Sequence, residues 1–347
     1  VLALTVEPGV AGSGRIDEVA PPAVTEGAVL VQGISVGICG TDALIAEGGW
    51  GTAPPGAQRL ILGHESLGRV LETPPNVGLS VGDLVAGVVR LPGHPPCAAC
   101  AGGEWDMCQD GNHVERGITG SHGFAAEQWR IHPGYSVRIP DGLDHVGVLV
   151  EPASVVAKAW AHVDVIASRA AATSARRVLV TGAGTIGLLV GLLARQRGLP
   201  VDIFDKVAAG PKPALVDALG GHYLTGDLAA ACKEADIVFE CTGSAAVVAQ
   251  LLECARPNAT ICLIGIPNDS LAPHLDAVGL ANKLVRDNVV VFGTVNANRH
   301  HWTIGSEALA AADPAFLAGL ITRRVPLSEW QQALPRRLED VKVVIDL

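Results

Sequence analysis

Residues 177–205 constrain the fold of this 347-residue chain more than any other stretch. A β-branched and aliphatic run over 177–181 predicts a strand, Gly182-Ala183-Gly184-Thr185-Ile186-Gly187 a glycine turn, 186–197 a helix, and 201–205 a second strand. In that setting the first glycine permits the tight turn, the second lets backbone approach a pyrophosphate, and the third lets the helix pack closely. The phosphates of a dinucleotide would lie at the helix N-terminus, where unpaired N–H groups and the dipole favour anions. Asp205, closing the second strand, suits the adenosine ribose hydroxyls and opposes a 2′-phosphate, which favours NAD; Lys206 beside it keeps NADP possible.

Further apolar runs at 236–240, 260–266 and 288–293 predict more strands alternating with helices. The expected result is a doubly wound (Rossmann) parallel sheet with helices on both faces. Before it, 29–35 and 60–71 read as β-rich segments separated by Gly/Pro turns. No clear helical period appears before about residue 145, as in a small barrel-like domain. Beyond residue 293 the pattern gives a helical stretch near 302–312 and a terminal strand at 341–347, expected to return to the first domain. The length favours two domains. Forty-nine per cent hydrophobic residues supply the core, and with only 4 per cent aromatic residues the aliphatic side chains must fill it.

A net charge of −10 with no long Lys/Arg run opposes nucleic acid and anionic membrane as partners. The apolar stretch 178–194 is short for a bilayer and reads as a buried strand and helix, while 167–175 reads as a small-residue polar loop. Residues 1–8 lack the basic-then-apolar layout of a secretory signal. A chain this large does not need its eight cysteines as disulfide staples, so a reducing cytoplasm is expected.

Three strings in the first half carry metal-ligand chemistry: Gly37-Ile38-Cys39-Gly40-Thr41-Asp42, Gly63-His64-Glu65 and Glu151-Pro152. Cys39, His64 and Glu151 would supply sulfur, nitrogen and oxygen to a zinc ion that keeps an open position for chemistry. A second cluster, His94, Cys97, Cys100 and Cys108, has the spacing of a closed tetrahedral zinc site that pins a loop. An open zinc beside a dinucleotide describes an alcohol oxidation, in which an oxygen is polarised and a hydride leaves.

With these strings the chain resembles the zinc-dependent medium-chain dehydrogenases over essentially its whole length. Glu115-Arg116-Gly117-Ile118, His122-Gly123-Phe124 and 293–298 resemble the glucose dehydrogenase branch more narrowly. The resemblance implies a GroES-like β-rich catalytic domain over 1–155, a nucleotide domain over 156–296, and a segment 297–347 returning to the catalytic domain, with the active-site cleft between the two. It implies Cys39, His64 and Glu151 as catalytic zinc ligands, with Glu65 an occasional ligand or proton acceptor. Asp42 would orient His64, and Thr41 would hydrogen-bond the reacting hydroxyl. Glu115 and Asn296 would contact sugar hydroxyls or the nicotinamide end, and the cofactor-binding set would be Gly182, Gly184, Thr185, Ile186, Gly187, Asp205, Lys206 and Thr242. A homodimer or homotetramer is implied, paired through strands near 289–292.

Two positions depart from the family pattern. His94 stands where a cysteine is common, and Leu44 stands where many relatives place a proton-relaying histidine. The expected reaction is oxidation of an aldose, glucose foremost, at C1 to the lactone; the rival is the same chemistry on a polyol, cyclitol or other secondary alcohol.

Overall fold

The computed structural model describes residues 1–169, 177–267 and 276–347, so most of the loop expected over 167–175 lies outside the described residues. The chain divides into two compact units: residues 1–154, 296–311 and 321–347 form the first, and 155–295 with 312–320 the second.

In the second unit six parallel strands lie in the order His222–Leu224, Val201–Phe204, Val178–Thr181, Ile237–Glu240, Thr260–Leu263, Val290–Gly293. The chain order reverses between Val178–Thr181 and Ile237–Glu240, the switch point beside which doubly wound sheets bind ligands. Both of these central strands are buried at every residue, as expected of a sheet covered on two faces. Leu179, Val238 and Ile261 pack with Leu251, Leu252 and Cys232 from the helices Leu228–Glu234 and Ala245–Cys254 into one aliphatic core. The helix Thr185–Gln196 buries nine of its twelve residues, so the apolar stretch at 178–194 is interior. No described helix is long and apolar enough to cross a membrane.

In the first unit the ten-residue strand Val29–Ile38 organises a seven-stranded sheet. It pairs antiparallel with Glu65–Glu72 on one side and with the terminal strand Lys342–Asp346 on the other. Alternating burial over its first half gives way to continuous burial at its end, where the metal strings begin. The register sets Gly37 opposite both Glu65 and Val344, and Val343 opposite Ile38. A Cβ on Gly37 would stand 2.1 Å from Glu65 Oε2, so the glycine ahead of Cys39 is what lets the Glu65 carboxylate lie there.

Several expectations need correction. A short helix, Gly40–Ala46, begins well before residue 145. The segment 297–347 does not return whole: residues 312–320, carrying the helix Pro314–Leu320, belong to the second unit and pack on the helix Pro211–Ala218. Phe316, Leu317 and Leu320 are buried, and that apolar face is what holds the helix there. The strand Ile321–Pro326, parallel to the terminal strand, has a mostly polar and half-exposed pattern that hides it from period-two reading.

One buried ion pair clips this C-terminal lobe. Arg323 meets Asp340 at 2.6 and 3.2 Å, and the Arg337 N–H donates to the same carboxylate. Burial opposes ionisation of Asp340, but the bonds from Arg323 and Arg337 outweigh it and hold its pKa below the ordinary value. A depressed carboxylate contributes stability above its unfolded pKa and loses it as pH falls through the folded value. We therefore expect Asp340→Asn to lower unfolding free energy by about 3 kcal/mol at neutral pH. The gap to wild type should narrow below about pH 4; denaturant titrations at both pH values check it.

Candidate metal centre and nucleotide turn

Cys39 ends the strand Val29–Ile38 and, in an extended conformation, caps the helix Gly40–Ala46: the Thr41 N–H donates to its sulfur at 3.2 Å. Asp42, fully buried in the first turn, accepts the Cys39 N–H at 2.9 Å and the Gly63 N–H at 3.3 Å. One carboxylate thus ties together the two strings that carry sulfur and imidazole. Asp42 Oδ1 also lies 3.3 Å from His64 Nδ1. That nitrogen makes no well-aligned hydrogen bond, so the carboxylate acts on the ring through charge. The orientation leaves His64 Nε2 3.1 Å from Cys39 Sγ.

Cys39, His64 and Glu65 each bring a ligand atom within 4.8 Å of the others. Zinc holds sulfur at about 2.3 Å and nitrogen or oxygen at about 2.0 Å, so its ligand atoms sit at such mutual distances. Glu151, expected as a ligand, is buried but stands outside this trio. Burial pushes its carboxyl up to about 7, and the Glu65 and Asp42 charges push the same way, against His64 and Lys342. The charge balance points the same way. Cys39, Asp42, Glu65 and Glu151 are four groups with anionic forms, opposed by the buried Lys342 and His64, and a dication fits such a set. Burial opposes the imidazolium of His64, but Asp42 and Cys39 hold its pKa well above the ordinary value. A ligating histidine must shed that proton.

Lys342 is the residue that local reading of the sequence misses. It is 277 positions from Glu65, yet its Nζ lies 2.5 Å from both Glu65 oxygens, and both side chains are almost wholly buried. Burial disfavours the ammonium, but Glu65 and Cys39 hold it charged. Lys342 follows from the register alone: one step past the Val343–Ile38 pair, the terminal strand faces Cys39.

The second cluster forms in part. Cys97, Cys100 and Cys108 bring their sulfurs within 4.8 Å of one another, but His94 is exposed and outside the group. Among the described residues no other His, Cys, Asp or Glu joins the three. The backbone N–H groups of Cys100 and Gln109 pull the Cys97 thiol down to about 7, the behaviour of a metal-ready sulfur.

Glu115 and Asn296 do meet. Asn296 Nδ2 donates to Glu115 Oε1 at 2.6 Å, and Arg90 donates to the same oxygen at 2.9 and 3.1 Å. Asn296 takes a left-handed φ of 58°, which asparagine tolerates. Arg90 is a second residue the sequence did not single out.

In the nucleotide turn, Gly182 has φ +94°, and a Cβ on Gly187 would stand 1.8 Å from the Gly182 carbonyl oxygen, so the turn closes on glycine alone. Gly184 precedes the helix Thr185–Gln196 and no side chain caps it, which leaves first-turn N–H groups for an anion. Thr242 lies against Gly182, its hydroxyl donating to Glu240 and accepting from the Ser244 N–H. Asp205, expected at the ribose, already has three partners of its own. It accepts the Ala183 N–H at 2.8 Å, the Val207 N–H at 2.9 Å and the Lys212 ammonium at 3.1 Å, with Lys212 itself buried. Burial opposes its ionisation, but those three bonds hold its pKa below the ordinary value. Lys206 is exposed.

A family model for the alcohol dehydrogenase GroES-like domain matches residues 25–141, and one for the glucose dehydrogenase C-terminus matches 144–347. The chain is 34% identical to a glucose 1-dehydrogenase of Methanocella arvoryzae, covering 99% of each. It is 38% identical to glucose 1-dehydrogenase 1 of Caldivirga maquilingensis, covering 99% of this chain and 98% of that one. It belongs to the zinc-dependent medium-chain dehydrogenases, in the glucose dehydrogenase branch. Among solved structures it is similar to Haloferax mediterranei glucose dehydrogenase in complex with NADP, Zn and gluconolactone. That pair has a TM-score of 0.91 at 28% identity, covering 100% of this chain and 99% of that one. Escherichia coli galactitol-1-phosphate dehydrogenase, at 24% identity over the full length of both chains and a TM-score of 0.82, shares the fold. A medium-chain zinc dehydrogenase with this trio is an NAD(P)-dependent enzyme.

Proposed function

We propose that this dehydrogenase oxidises glucose, or an aldose close to it, at C1 to the lactone. The carrying observation is the Cys39–His64–Glu65 trio backed by Asp42, in a chain that matches glucose 1-dehydrogenases along its whole length. When bound, zinc polarises the substrate hydroxyl and lowers its pKa, and the nicotinamide takes up the hydride. The chain's own residues do the rest. Asp42 fixes the His64 ring and, through the Cys39 and Gly63 N–H groups, the spacing of the two strings. Thr41, two residues beyond the sulfur ligand with its own N–H on that sulfur, is our candidate to hydrogen-bond the reacting hydroxyl. Glu115, held by Arg90 and Asn296, offers a fixed carboxylate to sugar hydroxyls.

Initial rates with glucose, galactose, xylose, a cyclitol and a simple secondary alcohol test this reading. Glucose should lead, and Glu115→Gln should raise KM for glucose by about tenfold, the worth of one charged hydrogen bond. Turnover of a polyol or cyclitol with silence on aldoses would sink the sugar assignment.

For the cofactor, the Asp205 carboxylate that would repel a 2′-phosphate is neutralised by Lys212 and flanked by exposed Lys206. We therefore read the turn as accepting NAD and NADP, with Lys212 setting the ratio. Lys212→Gln should cut the NADP/NAD ratio of kcat/KM by about tenfold, or roughly 1.4 kcal/mol. Initial rates with NAD and NADP check it, and an unchanged ratio would remove Lys212 from the role.

Eight free cysteines fit a cytoplasmic location. The strand Val290–Gly293 is the last of its sheet, and the neighbouring helix Ala277–Arg286 buries none of its residues. That edge supports a homodimer, with a homotetramer the larger option; light scattering gives the state.

A further inference from the structure

We infer that the first unit carries a second ligand site, for a polyhydroxy carboxylate of the aldonate class, in the cavity lined by Arg116, His122, Gln128, Glu18 and Glu26. The choice of an aldonate rests on the proposed sugar oxidation; the existence of the site does not. The cavity has a volume of about 930 Å³ and shares no residue with the Cys39–His64–Glu65 trio or with Glu115 and Asn296.

Its distinguishing group is Arg116, 6% exposed. The guanidinium donates from Nε to the His122 carbonyl at 3.1 Å and from Nη1 to the Arg130 carbonyl at 3.0 Å, and it lies 4.6 Å above the Phe124 ring. Neutral carbonyls and a ring face do not cancel its charge. Among the described residues no carboxylate forms an ion pair with Arg116, and its Nη2 makes no hydrogen bond. Burial pulls its pKa down to about 10, with Glu26 acting in the other direction from a distance. A buried cation of this kind is stabilised by an anion that arrives from solution.

The rest of the lining selects which anion. Asp17 does not compete for Arg116, because it already accepts Thr5 Oγ1 at 2.6 Å and pairs with Arg15 at 2.7 Å and Arg59 at 3.0 Å. Glu18 and Glu26 are exposed, and Glu26 uses one oxygen on the Ala23 N–H. Two carboxylates repel a multiply charged inorganic anion but accept hydroxyl hydrogens well. His122 Nδ1 accepts the Ile61 N–H, so the proton of the neutral ring is on Nε2, and burial keeps its pKa low. The chemistry that satisfies this set has one carboxylate for Arg116 and several hydroxyls for the acids, His122 and Gln128. An aldonate has that form. It arises when water adds to the lactone carbonyl and the ring ester bond opens, the water oxygen entering the new carboxyl group and a proton passing to the released hydroxyl.

Calorimetric titration of the zinc-loaded protein with gluconate, inorganic phosphate, acetate and glucose tests the site. Saturable gluconate binding is expected, tighter than phosphate or acetate. Arg116→Gln should weaken it by about tenfold, the value of one charged hydrogen-bonded contact. Ala57→Trp, which fills the rim from an exposed position, should do the same and decides the matter if Arg116→Gln does not fold. No saturable gluconate binding, equal binding in the folded variants, or phosphate binding tighter than gluconate would overturn the inference. Loss of gluconate binding in the variants of a protein that fails to oxidise glucose would keep the site and discard the sugar oxidation. Glucose turnover without gluconate binding would do the reverse.

Discussion

Cys39→Ser should leave the protein folded but short of zinc, with kcat/KM lower by about 10³-fold or more, because metal polarisation contributes several kcal/mol to the transition state. Serine retains the size of the side chain and accepts the Thr41 N–H that caps the helix, so the loss should fall on the metal and not on the fold. The oxygen is a poorer ligand than a thiolate for zinc. Zinc content by mass spectrometry and initial rates on the same preparation check this. A variant that kept full zinc occupancy and turnover would show that the sulfur 3.1 Å from His64 is not a ligand.

Lys342→Met should cost about 3–5 kcal/mol of stability, because it strands a buried carboxylate whose two oxygens both lie against the ammonium. It should also let the Glu65 carboxylate shift relative to Cys39 and His64, since Lys342 is what holds it in the trio. Two measurements separate these effects. Glu65→Gln combined with Lys342→Met should recover much of the lost stability, since a neutral amide no longer needs the cation. The visible spectrum of cobalt-substituted protein should change in Lys342→Met and remain near wild type in Lys342→Arg, which keeps the charge. If Lys342→Met had wild-type stability and spectrum, the ion pair would have no part in placing Glu65.

What was legible in the sequence was local. The glycine turn, the strands around it and the ligand strings are short patterns whose physical meaning does not depend on distant residues; Cys39, His64 and Asp42 lie together, and the three sulfurs at 97, 100 and 108 form a separate group. The helix Gly40–Ala46 escaped because its start is the ligand string itself, where the apolar period cannot develop. The strand His222–Leu224 escaped because it is a short, half-exposed edge. Lys342, Lys212 and Arg90 could not be found from spacing, because their partners are set by strand register and by the seating of a helix. His94 shows the opposite failure: correct spacing from the cysteines did not bring its side chain inward. Asp205 had the expected position, but its charge was already balanced by a lysine seven residues on.

The most direct test of C1 oxidation is to incubate the zinc-loaded enzyme with glucose deuterated at C1 and either oxidised cofactor, then weigh the reduced cofactor. Hydride transfer from C1 predicts a reduced cofactor heavier by the mass difference of one deuterium for one hydrogen, with the lactone or its acid as the sugar product. Reduced cofactor without the label would place the oxidised carbon elsewhere on the substrate and contradict the proposed reaction.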